Sequence, residues 1–209
     1  KQVENIPPRL TLPVDCHIRG EVVMPLKTFE EKYRDVSPNP RNLCSGALRQ
    51  KHGDGKADAS DLVFCAYDVK FVKDSPEVQF DSQLLEMLKN EIGIEPAPWQ
   101  VFDAENPQKE MIKYTKQWSE KRSSYEYEID GIVFKLDDLQ QRERLGSTAH
   151  HPRWALAWKF PPEEATSVLL GVDWQTGRTG AVTPVARIAP QTVGGVTVEN
   201  TTLHNVGEV

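Results

Sequence analysis

The chain has 209 residues, with 25 Lys and Arg set against 31 Asp and Glu, a net charge of -6. Its 38% hydrophobic and 27% charged content is that of a globular fold, not a disordered or collagen-like one. No apolar run reaches the length of a membrane-spanning helix, and the first residues, Lys-Gln-Val-Glu-Asn, show neither an initiator Met nor a signal stretch. That start is the expectation for a piece of something longer. Cys16, Cys44 and Cys65 form no C-x-x-C pair, which argues against a structural zinc. Three cysteines cannot all pair internally, which suits a reducing compartment. The five histidines form no metal-binding pattern.

In chain order, Cys16 to Met24 reads as a strand ended by Pro25. Thr28 and Glu31 have capping-box spacing and predict a helix to about Arg34. Asn39-Pro40 is a cap with proline in the first turn, opening a helix to about Gln50. Residues 52–60 are a polar loop, and its Gly53-Asp54-Gly55-Lys56 lacks phosphate-loop spacing and reads as a turn. Asp61 to Val72 is a strand, Phe80 to Glu91 a helix stopped by Gly93, and Trp99 to Phe102 a short strand. A charged helix follows from Pro107 to Arg122, then strands at Tyr127 to Leu136 and Trp154 to Phe160. Pro161-Pro162 breaks the pattern, and only two basic residues, Arg178 and Arg187, lie beyond it. Three short strands follow, at Ser167 to Gln175, Ala181 to Ile188 and Val196 to Leu203, too few to close a barrel. The expected class is α+β, with a largely antiparallel sheet in a domain at 1–161 and an incomplete barrel at 162–209.

Two strands share an unusual face. One face of 131–136 carries Ile132, Phe134 and Leu136, and the other carries Gly131, Val133 and Lys135. In 154–160 the bulky face is Trp154, Leu156, Trp158 and Phe160, and the other is Ala155, Ala157 and Lys159. A flat floor of small side chains with a cation at its end suits a planar base bearing a phosphate. Either strand alone reads as an ordinary solvated face; the repeat brings the two readings level. Glu21, beside Arg19-Gly20, is a ribose acceptor or an edge carboxylate. Tyr67 stacks on a base or is a core tyrosine. Arg41 and Arg49 lie on one helix within about 80° of each other and reach one phosphate-bearing ligand or only water.

The chain resembles bacterial NAD-dependent DNA ligases. The likeness rests on Arg19-Gly20-Glu21-Val22, on Asn39-Pro-Arg-Asn-Leu-Cys-Ser-Gly-Ala-Leu-Arg-Gln50, on Glu128-Ile-Asp-Gly-Ile-Val-Phe-Lys135 and on Trp154-Ala-Leu-Ala-Trp-Lys-Phe-Pro161. In the tail it rests on Gly177-Arg-Thr-Gly-Ala-Val-Thr-Pro-Val-Ala186 and Thr202-Leu-His-Asn205. The Asp-Gly-hydrophobic-hydrophobic-Lys type of element, here Asp130 to Lys135, is shared with ATP-dependent ligases and capping enzymes, whereas the Asn-Pro-Arg-Asn and Gly-Arg-Thr-Gly stretches are far more specific to the NAD-dependent branch.

The resemblance implies a nucleotidyltransferase (ATP-grasp-like) adenylation domain with antiparallel sheets, lacking its N-terminal part, followed by part of an all-β OB-fold. It implies nick sealing through lysyl-AMP and DNA-adenylate, with NAD as adenylyl donor and Mg²⁺, in DNA replication and repair. The partner would be nicked double-stranded DNA, and the protein a cytoplasmic, nucleoid-associated bacterial monomer. Glu21 then holds the ribose, and Tyr67 and Val133 flank the adenine. Lys135 and Lys159 meet the α-phosphate, Arg41 lies near it, and Arg49, Arg153 and Arg178 face DNA. The family's nucleophilic lysine belongs to a Lys-x-Asp-Gly motif, which these 209 residues do not contain. Lys51-His-Gly-Asp-Gly has one residue too many. The expectation is a ligase piece that is inactive alone; the alternative is a non-catalytic nucleotide- or DNA-binding remnant of the same fold.

Overall fold

Gly20 sits where two strands come closest. In the computed structural model, which describes residues 3–49, 56–73, 76–102, 105–205 and 207, β1 (Cys16–Val23) pairs antiparallel with β2 (Val63–Phe71). Alternation turns Ile18, Gly20 and Val22 inward, opposite Val69, Ala66 and Phe64. A Cβ on Gly20 would stand 2.5 Å from the Cys65 carbonyl oxygen and 2.6 Å from the Phe64 ring, so only glycine lets the strands close here.

Helices cover this ladder in two clusters. α1 (Leu26–Lys32) and α2 (Pro40–Arg49) bury Phe29, Leu43, Cys44 and Ala47 with Met24, Tyr33 and Leu62. Asn39 caps α2 through Oδ1, which accepts from the Asn42 N–H at 2.8 Å. α3 (Asp81–Met87) runs into a π-helical turn, Leu88–Ile92, that Gly93 ends at φ +82°. Leu84, Leu85, Leu88 and Ile92 bury against Ala66 and Val69. Phe64 packs against both clusters. Leu62, Leu88 and Ile92 are fully buried, each a burial of about 1.5–3 kcal/mol. α4 (Pro107–Lys121) buries no residue completely, and its Tyr114 and Trp118 stack edge-on with Phe102 and Tyr125.

β3 (Gly131–Lys135), α5 (Leu139–Leu145) and β4 (Ala155–Lys159) complete this unit, β3 pairing antiparallel with β4. The chain divides between Phe160 and Pro161. Beyond the division, β5 (Leu169–Thr176), β6 (Val182–Val193) and β7 (Val196–Thr202) form an antiparallel meander. Gly194 and Gly195 turn β6 into β7 with positive φ.

The structure departs from the sequence expectations at four places. Among the described residues the first unit holds two separate two-stranded ladders rather than one sheet. Thr28 opens no helix: α1 begins at Leu26, whose N–H bonds to the Glu126 carbonyl, and no side chain caps it. Residues 99–102 form no strand; the chain touches the free edge of β2 earlier, where Pro96 makes an isolated parallel bridge with Ala66. Helix α5 was not anticipated, although Asp138 caps it by accepting from the Gln141 N–H. Residues 50–55, with the end of the expected helix and most of the glycine turn, lie outside the described residues.

Candidate functional site

The register of β3 and β4 decides where the two lysines point. Gly131 pairs with Lys159, Val133 with Ala157 and Lys135 with Ala155. Cross-strand partners share a face, so Lys135 and Lys159 stand on the same side, at opposite ends of the ladder. Four residues separate their levels, about 13 Å along the strands. Between them lie Val133, 59% exposed, and Ala157, also exposed. Gly131 lets the strands meet, since its Cβ would fall 2.4 Å from the Trp158 carbonyl oxygen. The opposite face carries Phe134, which stacks with Phe102 and Tyr114, and Trp158, which stacks with Phe160. Leu156, expected on this bulky face as core, is 60% exposed.

Tyr67 is presented by a bulge. Arg19 pairs with Asp68 and Gly20 with Ala66, which leaves Tyr67 as the extra residue of β2. Its ring is 42% exposed while Ala66 is fully buried, so Tyr67 is no core tyrosine. A bulged residue has no ladder partner, and the Tyr67 carbonyl instead accepts from Lys135 Nζ at 2.7 Å. The same ammonium lies 5.7 Å from the centre of the Tyr67 ring. One side-chain hydrogen bond thus spans the two ladders.

Around this contact sits a charged cluster that sequence reasoning missed. Asp81 Oδ2 is 3.9 Å from Lys135 Nζ and 2.7 Å from Arg142 Nη2. Asp81 and Arg142 are both buried. Arg142 Nε donates to the Leu136 carbonyl, and its guanidinium stacks 4.4 Å from the Trp154 ring centre. An acidic residue in a first helical turn reads in sequence only as a helix-dipole partner. The available signal for Arg142 was Asp138 as an N-cap before a Leu-Gln-Gln stretch.

The other sequence-derived residues are carried by β1, α2 and two turns. Glu21 is exposed on the outer face of β1, opposite Cys65. Burial first, then the Glu126 and Glu21 carboxylates, pushes the Cys65 thiol up. Burial also raises Tyr127 to about 12, with Glu126 beside it. Arg41 lies 3.9 Å from Asp130, just before β3, at the Lys159 end of the ladder. Arg122 stacks 4.9 Å from the Phe160 ring centre at the same end. Arg49 is the exposed last residue of α2. Arg153 is exposed in a turn before β4, and Arg178 in the turn between β5 and β6. The structure brings Lys135 to Tyr67 and sets Lys135, Val133 and Lys159 on one strand face.

Among the described residues no group of three His, Cys, Asp or Glu side chains is disposed to hold a metal ion, and no helix is long and apolar enough to cross a membrane.

Residues 1–163 match the family model described as the NAD-dependent DNA ligase adenylation domain, and residues 166–209 match that of the NAD-dependent DNA ligase OB-fold domain. A protein named DNA ligase from Nitrobacter hamburgensis is 43% identical over 98% of the chain. DNA ligases from a Marinomonas species and from Acinetobacter baumannii are 42% and 38% identical over all of it. The chain spans only 29% to 32% of the length of these three relatives. Matched from end to end by both domain models and by full-length relatives, the chain belongs to the NAD-dependent DNA ligase family.

Proposed function

We propose that the chain is the nucleotide-handling part of an NAD-dependent DNA ligase. It would comprise a nucleotidyltransferase (ATP-grasp-like) adenylation domain through residue 161 and the start of the OB-fold domain at 162–209. In the whole protein it would act on nicked double-stranded DNA in replication and repair, through lysyl-AMP and DNA-adenylate, as a monomer in the bacterial cytoplasm. The observation that carries this reading is the shared face of Lys135 and Lys159, with Val133 and Ala157 open between them. That floor fits the AMP half of NAD: a planar base needs small neighbours, and its phosphate needs cations.

In this reading Tyr67 and Val133 take the two sides of the adenine, and Glu21 accepts from the ribose hydroxyls. Lys135 and Lys159 hold the α-phosphate and offset the charge that grows on its oxygens as the anhydride breaks. Arg41 adds charge near the phosphate, and Arg49, Arg153 and Arg178 meet the DNA backbone. NAD supplies the adenylyl group. Mg²⁺ belongs to the family's chemistry, but the described donor groups place no step through it.

The amine nucleophile is not among these residues. A lysine that pairs with phosphate is held in its protonated form and makes a poor nucleophile, so neither Lys135 nor Lys159 replaces the one in Lys-x-Asp-Gly. Incubation with NAD and Mg²⁺, followed by intact mass measurement, tests this. No AMP adduct is expected on the 209 residues, whereas the Marinomonas ligase treated in parallel gains one. An adduct on any lysine of this chain overturns the reading. Calorimetry with AMP tests the floor itself: Lys135→Ala and Lys159→Ala should each weaken binding roughly tenfold, the loss of one charge-assisted hydrogen bond.

A further inference from the structure

Lys135 does not stand free on its strand. The segment just beyond it is tied down on two sides. Asp137 accepts from the Ser82 N–H and from Ser82 Oγ, both at 2.8 Å, and its carbonyl accepts from the Asp81 N–H at 2.9 Å. The Leu139 N–H donates to the Gln79 carbonyl at 3.0 Å. The end of β3 is thereby fastened to the start of α3, and Asp81 is carried to within 3.9 Å of the Lys135 ammonium.

A carboxylate only 5% exposed is tolerated where a cation and hydrogen bonds compensate it. Arg142, at 2.7 Å, is that cation, and it is itself held by the Leu136 carbonyl and the Trp154 ring. Arg142 is therefore the nearer cation to Asp81, and Lys135 receives the weaker, longer attraction. Two cations and one anion leave a net charge of one unit, and the Lys135 side chain, 22% exposed, is the only member of the trio that reaches solvent. Such an arrangement tethers the ammonium without neutralising it.

We infer that Asp81 is a positioning residue for Lys135, aiming its surplus charge at the phosphate of a bound nucleotide, and that Arg142 is the buried counter-charge that makes this carboxylate tolerable. The inference rests on the nucleotide reading of the floor. It separates two quantities that a merely structural role would move together, affinity for AMP and affinity for adenosine, because only AMP has the phosphate that Lys135 would meet.

The test is calorimetric titration of the 209-residue chain with AMP and with adenosine. Asp81→Asn alone would strand Arg142 as an unpaired buried charge, so the informative variant is Asp81→Asn combined with Arg142→Gln. Its preference for AMP over adenosine should fall at least fivefold while its adenosine affinity stays within twofold of the parent. Lys135→Ala shows how much of the preference passes through this ammonium, and adding the Asp81 and Arg142 changes to it should lower the preference no further. If the double variant does not fold, Asp81→Glu, which keeps both charges but moves the carboxylate by one methylene, should reduce the AMP preference in the same selective way. An unchanged preference in the folded variant, or a further drop without Lys135, overturns the role of Asp81 and leaves the nucleotide site standing. Failure of the parent chain to bind either compound overturns both.

Discussion

The two units of the chain solve the burial problem unequally. The first, ending at Phe160, builds two apolar clusters and holds Leu62, Leu88 and Ile92 wholly out of water. In the second, Ala186 and Pro184 are the described residues that reach that depth, while Val168, Leu169, Leu170, Trp174 and Val182 are each more than half exposed. The strands of the second unit are regular all the same, each hydrogen-bonded to its neighbour. Backbone pairing, then, does not by itself make a core. A three-stranded meander has two faces and two edges to cover, and its own side chains are too few to cover them.

The comparison is sharpest when the units are separated. Residues 1–160 expressed alone should unfold cooperatively on heating, while residues 161–209 alone should show no cooperative transition in calorimetry or near-ultraviolet circular dichroism. A sharp transition in the short piece would show that the meander holds itself together. Next in size is Phe64→Ala, at the contact between the two clusters, which should cost about 3–5 kcal/mol in urea unfolding. Trp174→Ala, 52% exposed in the second unit, should change stability by less than about 1 kcal/mol despite its larger side chain. Comparable losses at the two sites would erase the distinction.

Glycines sharpen it further. Gly131→Ala drives a methyl to 2.4 Å from a backbone carbonyl, where nothing but strand separation relieves it, and should cost about 1–3 kcal/mol. At Gly171 in β5 the nearest atom is the end of the Arg187 side chain, 2.9 Å away and able to swing aside. Gly171→Ala should therefore be nearly neutral in the same assay.

The remaining effect is alkaline and belongs to the first unit. Burial raises the Cys44 thiol from 9.0 to about 11. The unfolded chain then ionises first, so this contribution to stability is complete below pH 9 and is lost as pH climbs from 9 to 11, at most about 3 kcal/mol in all. Cys44→Ala should flatten that part of a stability-against-pH curve, and an unaltered slope would assign the loss to other groups.

The residues show why some of this was legible beforehand. Alternation in Gly131-Ile-Val-Phe-Lys and Ala155-Leu-Ala-Trp-Lys is local, because a strand's two faces follow from its own backbone geometry. The shared face of Lys135 and Lys159 follows once the two strands pair in the observed register. Pro161-Pro162 likewise marks its break by removing two amide donors. Proline at the first position of α2 and glycine after the π-helical turn mark helix ends for equally local reasons. Leu156 shows the limit: its place on the bulky face could be read, but burial depends on what packs opposite, and there it is 60% exposed.

What the amino-acid sequence determined by itself was the set of elements with strong local patterns, the small-residue faces bearing lysine, and the likeness to one enzyme family. Tertiary structure alone decided the bulge that exposes Tyr67, the split into separate ladders, and the meeting of Asp81, Lys135 and Arg142 from three different elements. The physical reason is range. Periodicity and end signals act over a few residues, whereas a buried carboxylate finds its counter-charge 61 positions along the chain only after the fold has removed water from both.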